Sequence, residues 1–400
     1  MRDQILVANA GSSSLKFHVY DVFDNDQLCF AYGGQISGIG DRLPHFRVRD
    51  AQGQDLFNQD LAPDQALNLH SAQHLVADWL IAHLPKPPIA VGHRIVHGGT
   101  QYSASVAITP DVIEYLDGLS PLAPLHQRNN LAPVKVIMDR WPDIYQVACF
   151  DTAFHQGHDP VVSHFAIPKA YYDRGVRRYG FHGLSYQYIS QQLHAEWPDI
   201  YAGRVLVAHL GSGASACSLK AGRSVDTSMG FTALDGVPMG TRPGKLDAGV
   251  LLWMMEQGMT HDQIQSLLYT ESGLKGLSGI SADMRVLCDS DEPQAQLAVD
   301  HFCFRVAETL AGLCVSLGGV DALVFTAGIG EHSPFVRAAI ADRLAWLGVH
   351  IDPAKNESSR EGLISTADSA VKVLVLPTNE ELVIAQESLR LIRAEAGINT

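Results

Sequence analysis

The sequence predicts an α/β protein built of two similar halves, each a mixed sheet with flanking helices, with a cleft between them. Two observations carry this expectation. Leu6-Val-Ala-Asn-Ala-Gly11-Ser12-Ser-Ser14-Leu-Lys16-Phe17 and Leu206-Val-Ala-His209-Leu-Gly211-Ser212-Gly213-Ala-Ser215-Ala-Cys217 read almost alike two hundred positions apart, and internal self-similarity points to duplicated architecture. Apolar strand-like runs also alternate with helical stripes through both halves, the pattern of layered α/β folds. Four hundred residues that are 46% apolar can bury more than one core, which favours two domains.

In the first half, residues 5–8 form the incoming strand of a hairpin whose outgoing strand ends at Val19-Tyr20-Asp21, and further strands and loops are expected between Asp24 and Asp60. Leu67, Leu69, His74, Leu75, Trp79, Leu80 and Leu84 follow a helical stripe closed by Pro85 and Pro87-Pro88. A buried strand over 89–96 runs into His97-Gly98-Gly99, 134–141 ends a helix before Pro142, and a strand over 145–150 delivers Asp151. The second half gives a helix over 184–197, a strand over 205–209 feeding the second turn, and a helix over 248–256. The longest helix spans 293–315, with Ala295, Ala298, Phe302, Val306, Leu310 and Leu313 on its apolar stripe. A strand over 322–326 enters Gly328-Ile329-Gly330, a helix covers 334–347, a last strand covers 371–376, and Glu380 opens the final helix. The expected domains are 1–150 with 386–400, the C-terminal helix crossing back, and 151–385.

A net charge of −14 works against nucleic-acid or anionic-membrane partners. Six scattered cysteines without a C-x-x-C pair fit free thiols in a reducing compartment and no structural zinc. No basic, apolar leader opens the sequence and no run reaches membrane-span length, so a cytoplasmic protein is expected.

An isolated Gly/Ser turn is usually an ordinary hairpin. A pair of them, one per half, suggests a duplicated grip on a polyphosphate, because small residues let phosphate approach successive backbone N–H groups. Neither copy has the Gly-Lys-Ser/Thr run of a Walker loop, and Lys16 lies in the outgoing strand.

Ordered motifs run nearly end to end: Asn9-Ala-Gly-Ser-Ser-Ser-Leu-Lys16-Phe, Gly92-His-Arg94-Ile-Val96-His-Gly-Gly, Leu122-Ala-Pro-Leu-His126, Phe150-Asp151-Thr-Ala-Phe-His155, Arg178-Tyr-Gly-Phe-His182-Gly, Thr227-Ser-Met-Gly-Phe-Thr232, Met239-Gly-Thr-Arg242, Ser281-Ala-Asp283-Met-Arg285, Phe325-Thr-Ala-Gly-Ile-Gly-Glu331 and Pro377-Thr-Asn-Glu380-Glu381-Leu. In this combination the chain resembles the acetokinase family of the actin-like, sugar-kinase-like phosphotransferases. The resemblance implies two duplicated actin-like (RNase H-like) domains flanking a nucleotide cleft. It also implies a homodimer that reversibly transfers the ATP γ-phosphoryl group to acetate, giving acetyl phosphate and ADP, with Mg2+ or Mn2+. It assigns Arg94 to acetate, with Val96, Leu125 and Phe181 as the apolar pocket and His126 assisting. Arg242 and His182 go to the transferring phosphoryl group. Lys16, Ser12, Ser14, His209, Leu210, Gly211, Ser212 and Gly213 go to the nucleotide phosphates, and Asp283, Met284, Arg285, Gly328, Ile329, Gly330, Glu331 and His332 to adenosine. Asn9 and Glu380 would hold the metal; for Asp151 the resemblance implies an acid/base, but because acetate is already ionised, orientation of metal-bound water is the favoured role.

The chemistry suits those residue types. A carboxylate acceptor, with a pKa near ~4.3, is already ionised and needs no base. The difficulty is bringing an anion to a polyanion, which calls for positive charge and in-line positioning. Arg94 and Arg242 offer paired donors that lysine cannot match; a surface ion pair is the ordinary role for either. His182 is one of eighteen histidines, and only the resemblance lifts it above a structural role. His93 with His97, and His155 with His158, lack a third ligand and read as structural. A first-turn carboxylate such as Glu380 also suits a helix dipole.

The chain departs from the family pattern at three places. Ser212 stands where asparagine is usual, Asp247 is followed by Ala248 rather than proline, and Gln127-Arg128 replaces Asn-Pro after His126. These put a phosphate contact, a helix entry and local loop shape in question, more than the reaction. Rival readings are a propionate or other short-chain acyl kinase, a phosphate donor other than ATP, and an actin- or chaperone-like ATP-driven switch.

Overall fold

The computed structural model describes residues 2–11, 14–123 and 126–397. The chain divides into two compact units, Met1–Ala153 with Asn379–Thr400, and Phe154–Thr378. The first contains β1 (Asp3–Ala10), β2 (Ser14–Val22), β3 (Leu28–Ser37), β4 (His45–Asp50), β5 (Asp55–Asp60), β6 (Ala90–Ile95), β7 (Val106–Ala107) and β8 (Tyr145–Phe150). The second contains β9 (Arg204–Leu210), β10 (Ala214–Lys220), β11 (Arg223–Thr227), β12 (Ala322–Thr326), β13 (Gly362–Leu363) and β14 (Lys372–Val375). The sheet orders are β5-β4-β3-β2-β1-β6-β8-β7 and β11-β10-β9-β12-β14-β13.

Within these lies one repeated frame. β3-β2-β1-β6-β8 and β11-β10-β9-β12-β14 have the same order, with the first three strands antiparallel and the last two added in parallel. The duplication read from the turns is thus a duplication of topology. It slips by one residue at the turn itself: Ala10 pairs with Leu15, whereas Leu210 pairs with Ala214. Lys16 therefore corresponds to Ser215, one place from its partner at a spacing of two hundred.

In the first unit, the alternating residues Leu15, Phe17 and Val19 of β2 join Phe46, Val48 and the helix Leu69–His83 in one core. Trp79 lies 5.8 Å from Phe17 and 6.2 Å from Phe46 between ring centroids. That helix starts after Leu67, because Asn68 and Ser71 close a capping box there. The polar passage after Asp24 forms the three strands β3 to β5. The helix before Pro142 begins at Gln127 and continues through Pro133.

The C-terminal helix Glu380–Glu395 packs over β6, where a Cβ on Gly92 would lie 2.4 Å from both Ile384 Cγ2 and Ser388 Oγ. Only glycine leaves room for that approach. The whole helix belongs to the first unit, so the chain returns to it at Asn379 rather than at 386.

The second unit packs Tyr186, Ile189 and Leu193 of the helix Gly183–Glu196 against β9, β10, β12 and β14. The long helix Pro293–Leu317 buries the stripe read from sequence, Ala295, Ala298, Phe302, Val306, Leu310 and Leu313. The helix expected over 334–347 ends at Arg343, with a short 3-10 turn from Ala345 to Leu347. Among the described residues no helix is long and apolar enough to cross a membrane.

Candidate functional site

In the first unit, β6 and β8 are parallel neighbours, which brings Arg94 and Asp151 together at their ends. Arg94 Nε and Nη2 donate to the two Asp151 oxygens at 3.0 and 2.7 Å, and Nη1 lies 3.7 Å from Glu380 Oε2. The Arg94 charge, carried on a strand whose other residues are buried, is therefore paired. Burial works to lower the Arg94 pKa, but Asp151 and Glu380 overcome it and hold the guanidinium charged. Burial, with Asp151 and Glu381 close by, drives Glu380 well above the usual carboxylate range despite Arg94.

Asn9 turns to the next residue: its Nδ2 donates to Glu381 Oε1 at 3.4 Å. Burial alone would raise Glu381, yet His18, a backbone N–H, Lys16 and Asn9 together hold it below its ordinary value. Glu381 is the residue that sequence reasoning passed over here, although its place beside Glu380 in the motif was visible. Lys16 is exposed on β2, paired in register with Asn9. It borders a cavity of about 430 Å³ shared with His18, Gln35, Arg47, Arg49 and Glu381.

The surplus of buried carboxylate suits a hard cation, which Mg2+ satisfies with one or two carboxylates plus phosphate and water oxygens. Among the described residues no three His, Cys, Asp or Glu side chains form a metal cage.

The loops behind this cluster are stitched by the helix Gln127–Arg140. Asn130 Nδ2 donates to Ala10 O at 2.8 Å and its Oδ1 accepts from Val96 N at 2.9 Å, joining the ends of β1 and β6. Gln127 is fully buried, donating to His97 O and Leu116 O and accepting from His97 N. The departure from Asn-Pro thus leaves a helix start that is firmly tied. Val96 is buried at this end of β6, and His126 occupies the N-cap of the same helix. Ser14 begins β2, while Ser12 and Leu125 lie outside the described residues.

In the second unit, His182 sits at the N-cap of the helix Gly183–Glu196 with φ 57°, a left-handed conformation uncommon for a residue with a side chain. Its ring stacks on His209 with centroids 4.2 Å apart. Nδ1 of His182 meets Ser215 Oγ at 2.8 Å, and Tyr186 OH meets the same oxygen at 2.5 Å. His209 Nδ1 pairs with Ser185 Oγ, which pairs with Thr378 Oγ1, both at 2.8 Å, and Thr378 N donates to Glu331 Oε1 at 3.2 Å. Ser215 and Tyr186 were not singled out in the sequence; the alternation of β10 and the spacing of a helix turn from His182 were the available signals.

Arg242 reaches the same place from a loop held by its backbone. Gly240 N donates to Ser212 O at 3.0 Å, and Arg242 Nη1 donates to Ala233 O at 2.8 Å. A Cβ built on Gly213 would lie 2.9 Å from Arg242 Nη2 and 3.3 Å from His182 Nε2. Two side-chain nitrogens thus converge above a residue with no side chain, a place that would suit an oxyanion when both carry protons.

Gly211, Ser212, Asp283, Arg285, Gly328 and His332 line one cavity of about 1010 Å³, together with Met284 and Ile329. Asp283 caps the helix Met284–Cys288 and pairs with Arg285 at 2.6 Å. Nothing obstructs the space before Gly328. The other residues of that set lie elsewhere: Leu210 and Gly330 are buried, and the carboxylate of Glu331 accepts from Thr378. Phe181, 2% exposed, is packed inside this unit. Asp247 caps Gly249 N at 2.8 Å, so the helix Ala248–Glu256 starts normally without a proline.

A repeated five-strand frame, each copy presenting a hairpin beside parallel strand ends, defines the duplicated actin-like α/β class of phosphotransferase folds. The profile described as the acetokinase family matches residues 4–386, and the chain belongs to that family. It is 51% identical to the acetate kinase of Nitrobacter hamburgensis over 98% of this chain and 96% of that one. Among solved structures, it resembles a propionate kinase from Francisella tularensis (TM-score 0.88, 35% identity, covering 97% of this chain and 99% of the other). It also resembles the Porphyromonas gingivalis acetate kinase (TM-score 0.86, 34% identity, covering 98% and 100%).

Proposed function

We propose that the protein is an acetate kinase that passes the ATP γ-phosphoryl group directly to acetate, in a reversible reaction. The observation that carries this reading is the convergence of Arg242 Nη2 and His182 Nε2 over Gly213, beside a cavity of purine-nucleotide size. Donors placed where charge spreads over the equatorial oxygens stabilise a loose phosphoryl-transfer transition state. An ionised carboxylate needs no general base, in keeping with the roles given to Arg94 and Asp151: the first orients acetate, the second positions water near the nucleotide phosphates. Asn9 and Glu380 would hold Mg2+, which supplies charge neutralisation at the phosphate oxygens. Lys16, Ser14, His209, Gly211, Ser212 and Gly213 attend the nucleotide phosphates, and Asp283–Arg285 with Gly328, Ile329 and His332 the adenosine.

A homodimer is part of the same reading. The helix Ala248–Glu256 buries none of its residues, although Leu252, Trp253 and Met255 are apolar and 63%, 58% and 53% exposed. Such a face suits a second copy of the chain, and Trp253→Lys should shift the light-scattering mass to that of a monomer. The six free cysteines and the acidic charge suit a cytoplasmic enzyme. Propionate is the second acceptor to consider, given the likeness to a propionate kinase, since one methylene is worth only ~1–3 kcal/mol.

The test is hydroxylamine trapping of acyl phosphate with purified protein, magnesium, ATP, and acetate or propionate. A higher kcat/KM with acetate supports the proposal. A preference for propionate moves the assignment to that acid, and ATP hydrolysis without trapped product overturns it.

A further inference from the structure

His155 closes the motif that begins at Phe150-Asp151, is 3% exposed, and takes no part in the chemistry proposed above. Its Nε2 lies 2.9 Å from the carbonyl oxygen of Phe181, and its Nδ1 lies 2.8 Å from Ser224 Oγ. A carbonyl only accepts, so Nε2 carries the proton. Burial, with His158 nearby, lowers the His155 pKa to about 3, so the ring is neutral and Nδ1 must accept from the Ser224 hydroxyl. His158 Nε2, 2.8 Å from the same hydroxyl oxygen, then donates to it. The chain of hydrogen bonds has one direction, from His158 through Ser224 and His155 to the Phe181 carbonyl.

That carbonyl belongs to the peptide plane leading into His182. Because the peptide is planar, holding its oxygen fixes the plane from which His182 departs at φ 57°. A second left-handed residue, Gly180 at φ 77°, precedes it, and a Cβ there would lie 2.6 Å from the His155 ring and 2.5 Å from Thr227 Cγ2. The histidine ring packs where this glycine has no side chain. Its edge also meets the Tyr186 ring, 5.5 Å between centroids, and the Tyr186 hydroxyl shares Ser215 Oγ with His182 Nδ1. His155 thus bears on both the backbone and the ring of His182.

We propose that His155 is a positioning residue for His182, its tautomer set by the Phe181 carbonyl and its ring anchored on the other side by Ser224 and His158. The proposal rests on the role given to His182 above, and the test separates the two. A displacement of a reacting group by an ångström costs up to about a hundredfold in rate. His155→Ala should lower kcat by about tenfold to a hundredfold while the KM values for ATP and acetate stay within about twofold. His155→Gln, whose amide N–H can reach the same carbonyl, should recover most of the loss. In a His182→Ala background, His155→Ala should cost no further kcat.

If His182→Ala itself leaves kcat intact, the assignment of His182 fails, and the positioning proposal with it. If His182→Ala is impaired but His155→Ala keeps native kcat, or adds its full loss to the double variant, the positioning proposal alone is overturned. Should His155→Ala fail to fold, Ser224→Ala carries the same comparison: it removes the hydroxyl that anchors Nδ1 and so loosens the ring, and kcat should fall with KM unchanged. Native kcat in Ser224→Ala would then overturn the proposal.

Discussion

Across the hairpin β1–β2, Asn9 faces Lys16 in register, and at the corresponding place in β9–β10 His209 faces Ser215. The frames match, but the surroundings do not. Around the first hairpin stand Asp151, Glu380 and Glu381 with Arg94 and Lys16 as counter-charges. Around the second stand His182, His209 and Arg242, with hydroxyls of Ser215, Ser185, Thr378 and Tyr186 orienting them. Duplication has supplied one scaffold twice, and substitution has made one copy acidic, suited to a cation, and the other rich in donors, suited to a phosphoryl group. Function here is written in the differences between the repeats.

The donor-rich copy should carry the larger catalytic share. Arg242→Ala is expected to lower kcat on the order of 10²–10³-fold with a modest change in acetate KM, because its contact strengthens in the transition state. Steady-state kinetics decide it, and a raised KM with native kcat would remove Arg242 from that role. In the acidic copy, Arg94→Ala should act on both binding and stability. It leaves Asp151 and Glu380 without their close cation, at a cost of roughly 3 kcal/mol, and it should raise the acetate KM. Calorimetry and kinetics together distinguish the two effects.

One glycine in each turn sharpens the contrast. At Gly213 a methyl group would stand 2.9 Å from Arg242 Nη2 and 3.3 Å from His182 Nε2. At Gly11 it would meet, among the described residues, only Ser14, 3.3 Å from Oγ and 3.5 Å from the carbonyl oxygen. Gly213→Ala should therefore lower kcat by about tenfold or more with little change in melting temperature, whereas Gly11→Ala should be nearly silent. Equal losses in the two variants would mean that the turns act through shape alone.

Much of this was legible in the sequence because repeats and periodicity are local signals. The hairpin motif revealed the duplication, and the stripe from Ala295 to Leu313 revealed the long helix. Other features depend on contacts across the fold. The one-residue slip that aligns Lys16 with Ser215 depends on how each turn closes, which strand similarity does not encode. The passage after Asp24 was expected to hold further strands, and it holds three; their number and bounds were not legible, since polar faces of an antiparallel sheet dilute alternation. Pro133 masked the first two turns of its helix, which tertiary bonds from Gln127 and Asn130 secure. The partners of His182 and Asn9 are one hydroxyl and one carboxylate among many, and only folding selects them.

The two units also share a weakness, which offers the subtlest test of their likeness. Burial lowers His93 and His97 in the first unit to about 4, and burial with His158 nearby lowers His155 in the second to about 3. Gly99 N donates to His97 Nδ1 at 2.8 Å, so that ring, like His155, must stay neutral to keep its bond. Between those values and the unfolded value near ~6.5, the unfolded chain binds more protons than the folded one. Stability should therefore fall as pH drops from about 6.5 toward 4, each buried histidine contributing on the order of 1–3 kcal/mol. Thermal unfolding at pH 7, 6 and 5 measures the slope. His155→Gln should flatten it only in part, because His93 and His97 remain; a slope abolished by that one change would place the acid sensitivity of the whole molecule in the second unit.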